Sequence, residues 1–141
     1  MAKFAALKTN SFDEGLDNKI ASNSLVIANG DPVTLVGGNF ITKATVGTKI
    51  VGVSVTDKTF ASNNQTVAND VVYYRPSKQA SNTYRATISG GTINATKVGM
   101  YYGITAGGVV DGTTESATIA VGSQVRLEVY ESATSWQFSI V

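Results

Sequence analysis

Carboxylates are the acid–base candidates left in a sequence of 141 residues that contains no histidine and no cysteine. That double absence removes the commonest general acid/base, the commonest metal ligand and the most reactive nucleophile together. What remains is Asp111 and Glu115 in the run Asp-Gly-Thr-Thr-Glu, read as a loop, with Asp31, Asp57 and Asp70 in other predicted turns. Glycoside hydrolysis would need two of these held across a cleft, about 5 to 9 Å apart. Nothing in their spacing brings a specific pair together. A calcium site could draw on Asp111, Glu115 and loop carbonyls, since hard cations take oxygen ligands, but the alternating Asp ladder of a calcium loop is missing. The sequence is therefore read as that of a protein that holds rather than converts, with no enzyme activity, no metal and no cofactor.

Two other groups of residues could carry function. Tyr73-Tyr74 and Tyr101-Tyr102 are adjacent pairs, so on a strand each sends one ring to either face of the sheet. The outward ring could stack on a sugar or anchor a protein interface, while the inward one packs the core. The glycine pairs 37–38, 90–91 and 107–108 are not followed by helical patterns, so they read as hairpin and loop turns rather than phosphate loops. The sequons Asn64-Gln65-Thr66 and Asn94-Ala95-Thr96 are expected coincidences of an Asn/Thr-rich chain without an export signal.

The elements that would position these residues are short strands. Ser24 to Ala28 is apolar and is followed by the turn Asn29-Gly30-Asp31-Pro32; residues 33–36, Gly37-Gly38-Asn39 and residues 40–44 form a predicted hairpin. Lys49 to Val55 places Val51, Val53 and Val55 on one face, and 56–70 is a polar connection. Val71 to Arg75 is a strand that Pro76 ends, and Thr83 to Ile88 alternates again. Thr92 to Gly99 has room for one helical turn, and 100–105 resumes the strand pattern. Gln124 to Glu131 turns Val125, Leu127 and Val129 inward, and Ser135 to Val141 sets Trp136, Phe138 and Ile140 on one face. Ser132-Ala133-Thr134 joins these two as a short hairpin, and the apolar end at Val141 is expected to be pinned in a sheet or interface. Turn signals every eight to twelve residues predict an all-β fold, a sandwich or small barrel. Residues 1–23, where charges interleave with Phe4, Leu7, Phe12, Leu16 and Ile20 without a sustained period, predict an extended arm ahead of a β domain spanning 24–141; a short helix or loop folded on the domain is the other reading.

Composition narrows the partners. Hydrophobic residues at 43% are globular, whereas charged residues at 15% fall below the usual quarter, leaving Thr, Ser and Asn to cover the surface. A net charge of +1 and only three arginines give no pull on phosphates, so nucleic acid is not an expected partner. No apolar run is long enough to span a membrane and no signal core opens the chain, so folding in the cytoplasm is expected.

The segment order carries a resemblance. Gly30-Asp31-Pro32-Val33-Thr34-Leu35, Lys49-Ile50-Val51-Gly52-Val53, and Asn63-Asn64-Gln65-Thr66-Val67-Ala68 leading into Val71-Val72-Tyr73-Tyr74 form its first part. Val98-Gly99-Met100-Tyr101-Tyr102, Val109-Val110-Asp111-Gly112-Thr113-Thr114, and the closing Val125-Arg126-Leu127-Glu128-Val129 with Trp136-Gln137-Phe138 complete it. Over residues 24–141 the chain resembles the small β-rich head decoration, or cement, proteins of tailed bacteriophages. The resemblance implies a compact antiparallel β-barrel or sandwich, β-tulip-like, without catalytic residues. It implies a virion protein on the capsid surface that binds the major capsid protein, as a homo-oligomer with a trimer favoured. Phe4, Leu7, Phe12 and Leu16 of the arm, with Tyr74 and Tyr102, are the expected capsid or subunit contacts. The competing readings are a carbohydrate-binding or adhesin-like module using outward tyrosines and Trp136, a small hydrolase with a carboxylate pair, and a tail-tube or fibre subunit.

Overall fold

The computed structural model describes residues 3–8, 16–77 and 83–141. Its strands in chain order are β1 (Phe4–Lys8), β2 (Asp17–Ile20), β3 (Val26–Ile27), β4 (Pro32–Val36), β5 (Phe40–Lys43), β6 (Gly52–Ser54), β7 (Lys58–Thr59), β8 (Val71–Pro76), β9 (Thr83–Ala86), β10 (Ile88–Ser89), β11 (Tyr101–Ile104), β12 (Val110–Ser116), β13 (Val125–Ser132) and β14 (Ser135–Ile140). One π-type turn (Asn64–Ala68) and one 3-10 turn (Ala95–Lys97) are the helical pieces among these residues. The protein is all-β.

Three sheets result. The largest has seven strands in the order β1-β9-β14-β13-β11-β12-β10; the second has five in the order β2-β8-β6-β4-β5; β3 and β7 pair alone. All pairings within the sheets are antiparallel except β10 with β12. The edges of the five-stranded sheet, β2 and β5, meet at a single parallel bridge, Ala21↔Ile41, where the Ser22 amide donates to the Ile41 carbonyl at 2.8 Å.

The glycine-rich hairpin reading holds for β4 and β5: Val36 pairs with Phe40, and Gly38 and Asn39 take positive φ in the connecting turn. The Ser132–Ser135 hairpin and the helical turn near Asn94 are also present, the latter capped by the Asn94 side chain accepting from the Thr96 amide. Three expectations are corrected. Asp111 to Glu115 is strand β12, not loop. A register shift between Leu127 and Val129 reverses the alternation of β13, so Val125 and Leu127 are buried but Val129 is exposed. Within the polar connection 56–70, Lys58 and Thr59 pair with β3.

Apolar side chains gather in two cores. The first joins Phe4, Tyr84, Tyr102, Ile104, Val110, Val125, Leu127 and Phe138 of the seven-stranded sheet with Ala44, Ile50 and Val53 from the side of the five-stranded one. Its rings meet edge to face, Phe4 with Tyr84 at 6.0 Å and Tyr102 with Phe138 at 6.2 Å between centroids. The second core packs Val33, Ile41, Val72 and Tyr74 against Ala21, Leu25, Ile27 and Phe60. Gly52 makes that packing possible. A Cβ there would lie 2.3 Å from the Arg75 carbonyl and 2.5 Å from the Tyr74 ring, so only hydrogen lets the ring lie across the strand.

Candidate interaction surface

Each carboxylate considered for chemistry is already engaged in holding the fold. Asp111 accepts from the Thr113 amide at 3.0 Å and the Thr113 hydroxyl at 2.6 Å, while Glu115 pairs with Lys97 at 2.7 Å. Asp31 is buried; it accepts from the Ala28 amide and pairs with Lys3 at 2.8 Å. Asp57 accepts from the Asn29 amide at 2.9 Å, and Asp70 pairs with Lys58 at 2.9 Å. Among the described residues no group of three or more Asp or Glu converges as a metal site would require.

The expected contact residues divide. Tyr74 and Tyr102 are the inward members of their pairs, at 4% and 0% exposure, so the rings left for a partner are Tyr73 and, in part, Tyr101. The cause is register: Tyr74 lies opposite Ser54 on the face that forms the second core, and Tyr102 packs on Phe138 in the first. Burial, with the Glu115 charge as the lesser cause, pushes the Tyr102 phenol up to about 12. Tyr101 instead lies under the Arg126 guanidinium, 6.0 Å from its ring centre. Phe4, read as part of an arm, is a core residue, because β1 pairs with β9 and the Phe4 amide donates to the Gly30 carbonyl. Leu7 belongs to the same strand, Leu16 is exposed just ahead of β2, and Phe12 lies outside the described residues. The stretches 4–8 and 17–20 are thus strands of the two large sheets rather than an arm apart from them.

The most exposed apolar side chains lie elsewhere. Thr45-Val46-Gly47-Thr48 and Ala120-Val121-Gly122-Ser123 are twin turns built alike. In each the fourth amide donates to the first carbonyl, at 3.2 and 3.0 Å, and the fourth hydroxyl accepts from the first amide at 3.0 Å. In each the glycine has positive φ, which the third position of a type II turn demands, and this presents the preceding valine to solvent. Val46 is 67% exposed and Val121 fully so; Ile119, beside the second turn, is 66% exposed.

Gln124, which directly follows the second turn and is itself 3% exposed, ties the first turn to it. Its Nε2 donates to the Thr45 carbonyl at 2.9 Å and to the Thr48 carbonyl. Its Oε1 accepts from the Ile104 amide at 2.9 Å and the Gly47 amide at 3.4 Å. A fully satisfied buried amide of this kind fixes geometry, because any other arrangement leaves polar groups unpaired. Sequence reading passed over this tip. The available signal was the repeated Val-Gly-Thr/Ser with a glutamine following, outside any apolar alternation.

A groove of about 570 Å³ opens where β2 and β5 separate beyond their bridge. Leu35, Val51, Tyr74, Pro76, Ile140 and Val141 supply its apolar surface, with Asp17, Lys19, Asn39, Lys49 and Ser77 around them. The Asp17 charge and, before it, burial push the Tyr74 phenol up. A second groove, of about 530 Å³, runs beside Trp136 between Arg85, Ile88 and Thr134. The indole nitrogen donates to the Ala86 carbonyl at 2.6 Å, so what Trp136 offers there is ring surface.

No family model matches the chain, and no curated protein matches it. Fold and surface together describe an all-β protein in which the five carboxylates considered above are engaged within the fold and aliphatic side chains stand exposed at the tip.

Proposed function

We propose that this chain is a virion structural protein, a capsid decoration protein that binds the major capsid protein lattice and stabilises the head. The observation that carries the reading is the tip: two turns of one design present Val46 and Val121 to water, and the buried amide of Gln124, which directly follows the second turn, hydrogen-bonds the first. Aliphatic side chains exposed on fixed turns are available to a partner, and central apolar anchors dominate binding energy at interfaces. A repeating lattice multiplies such modest contacts through effective concentration, the more so if the chain assembles as a trimer, as the sequence resemblance implies. In this reading the Ala21–Ile41 bridge closes the five-stranded sheet into a small barrel, and the seven-stranded sheet packs on it as a sandwich. Such a doubly packed body suits a load-bearing clamp.

The test is decoration of purified heads from which the protein has been stripped. Wild-type protein is expected to rebind and raise the temperature of head disruption; Val46→Asp with Val121→Asp is expected to lower occupancy at least tenfold while its denaturation midpoint is unchanged. Absence of the protein from purified particles, or full occupancy by the double variant, overturns the proposal. A second reading, a carbohydrate-binding module, is favoured by one observation, the apolar groove beside the Trp136 ring. Glycan-array binding lost in Trp136→Ala, with heads left undecorated, would establish it instead.

A further inference from the structure

We propose that the seam between the two large sheets holds a binding site for a small organic carboxylate, its carboxyl group on the Arg75 guanidinium and its apolar body against Ala5 and Val55. The inference rests on neither the tip nor the decoration reading: it uses other residues, and it holds whether or not the chain decorates a capsid.

Three observations lead to it. First, the chain has three arginines, and they are treated differently. Arg85 forks onto Glu131 and Arg126 onto Glu128, whereas the Arg75 guanidinium makes no ion pair or hydrogen bond to any described residue. Arg75 is also half-buried, so its donors are partly withdrawn from water without an acceptor among those residues. A planar guanidinium in that position is best met by a bidentate oxyanion.

Second, the strands place that fork in a cleft. Arg75 lies opposite Val53 in the β6–β8 pairing, so the two side chains share a face, and Val53 belongs to the core shared with the seven-stranded sheet. Arg75 thereby lines a cleft of about 310 Å³, at the small end of ligand sites. Phe4, Val53 and Tyr84 close its floor, while Ala5, Asn29 and Val55 stand at its rim. Asn29 is exposed, and its carboxamide makes no hydrogen bond to any described residue, which leaves a neutral donor in the same cleft. The turn that carries it is stapled to β6: the Gly30 amide donates to the Ser54 carbonyl and the Ser54 amide to the Asp31 carbonyl, each at 2.8 Å. A rim held in this way is ordered before a ligand arrives.

Third, the charges select a monoanion. Arg75 is the one ionised side chain among the described residues that line the cleft. Around it, Lys3 and Asp31 cancel at 2.8 Å, and Asp57, which accepts from the Asn29 amide, is exposed and makes no ion pair with Arg75. A phosphate dianion would leave charge unmet against a single arginine with a carboxylate nearby. A carboxylate matches the fork in both charge and shape, and the aliphatic rim of Ala5 and Val55 suits a hydrocarbon body.

The experiment titrates the full-length, isotope-labelled protein with sodium benzoate, its uncharged counterpart benzamide, and inorganic phosphate, following the Arg75 Nε–H and the backbone amides. Benzoate is expected to shift Arg75, Asn29 and Val55 saturably, and to bind roughly tenfold more tightly than benzamide or phosphate. Arg75→Lys, which keeps the charge and loses the fork, should weaken benzoate about fivefold, and Arg75→Gln should abolish the saturable shift. Arg85→Gln, which removes a guanidinium already held by Glu131, should bind benzoate as wild type does. Equal binding of benzoate and benzamide, tighter binding of phosphate, shifts confined to other surfaces, wild-type affinity in Arg75→Lys, or no saturable shift at about 20 mM benzoate would overturn the proposal. Should Arg75→Gln fail to fold, the Arg75→Lys comparison and the benzoate–benzamide pair decide it. Loss of decoration in the tip variants leaves these outcomes unchanged, so the two proposals fail separately.

Discussion

The outer surface of the seven-stranded sheet and that of the five-stranded sheet are completed in different ways. On the first, charges are matched in place: Arg85 forks onto Glu131, Arg126 onto Glu128, and Lys97 meets Glu115. The second carries Asp17, Lys19, Lys43 and Lys49 without an ion pair to another described residue, and leaves Leu35, Val36 and Tyr73 exposed. Each sheet contributes to a buried core, so the contrast lies in the outward faces. The five-stranded side thus leaves charges to water that the seven-stranded side pairs within itself, while exposed aliphatics occur on both, Val129 among them. The twin turns belong to neither sheet and join the two.

Substitutions can break this contrast in order of severity. Gly52→Val should have the largest effect, costing more than about 3 kcal/mol, because the new side chain meets the Arg75 carbonyl and Tyr74 ring. Its expected signature is loss of hydrogen-exchange protection in β6 and β8 before the seven-stranded sheet. Simultaneous loss in both sheets would mean that they unfold as one unit and that the contrast is confined to the surface. Gln124→Ala comes next, at about 2–3 kcal/mol in urea denaturation, since it takes the acceptor from the buried Ile104 amide and the donor from the Thr48 carbonyl. It should also release the 45–48 turn, seen as faster exchange at Gly47 and Thr48.

Tyr102 gives a pH test of the seven-stranded side. Its phenol is held above the ordinary value of 10.0, at about 12, so its contribution is complete below pH 10 and declines as pH rises toward 12. A stability–pH curve should fall across that window, and Tyr102→Phe should flatten the fall. The same variant should be neutral or up to about 1 kcal/mol stabilising at pH 7, because the hydroxyl is buried with no hydrogen-bond partner among the described residues. The smallest effect is expected at Glu131→Gln. The Ser135 hydroxyl first, and Arg85 after it, hold this exposed carboxylate below its usual range, so its influence is present at neutral pH and disappears on acidification. The denaturation midpoint at pH 7 should move within experimental scatter. A large loss would show that these surface pairs do more than complete the exterior.

Much of the strand pattern was legible in the sequence because alternation and turn chemistry are local. Phe138 with Trp136 and Ile140, the Gly37-Gly38-Asn39 hairpin and the turn at Asn94 all depend on residues within a few positions of one another. What failed depended on distance. The inward choice between Tyr73 and Tyr74, and between Tyr101 and Tyr102, is set by strands that pair from remote parts of the chain. Val129 was misplaced because one extra residue in β13 inverts its alternation, and no local signal announces such a bulge. Phe4 looked free because its partners, Tyr84 and Ala86, are some eighty positions away. The tip was missed for the same reason: the two Val-Gly turns are connected only once Gln124, beside the second, is seen to bond the first.

Gln124 reaches the first turn across 77 residues of chain to Gly47, yet it sits three residues from Val121. No fragment containing one turn alone can reproduce the display, and closing so long a loop is entropically slow. The two turns are therefore brought together only when both stretches of chain are folded. A partially folded chain, which exposes apolar surface enough, does not yet hold the two valines in this arrangement.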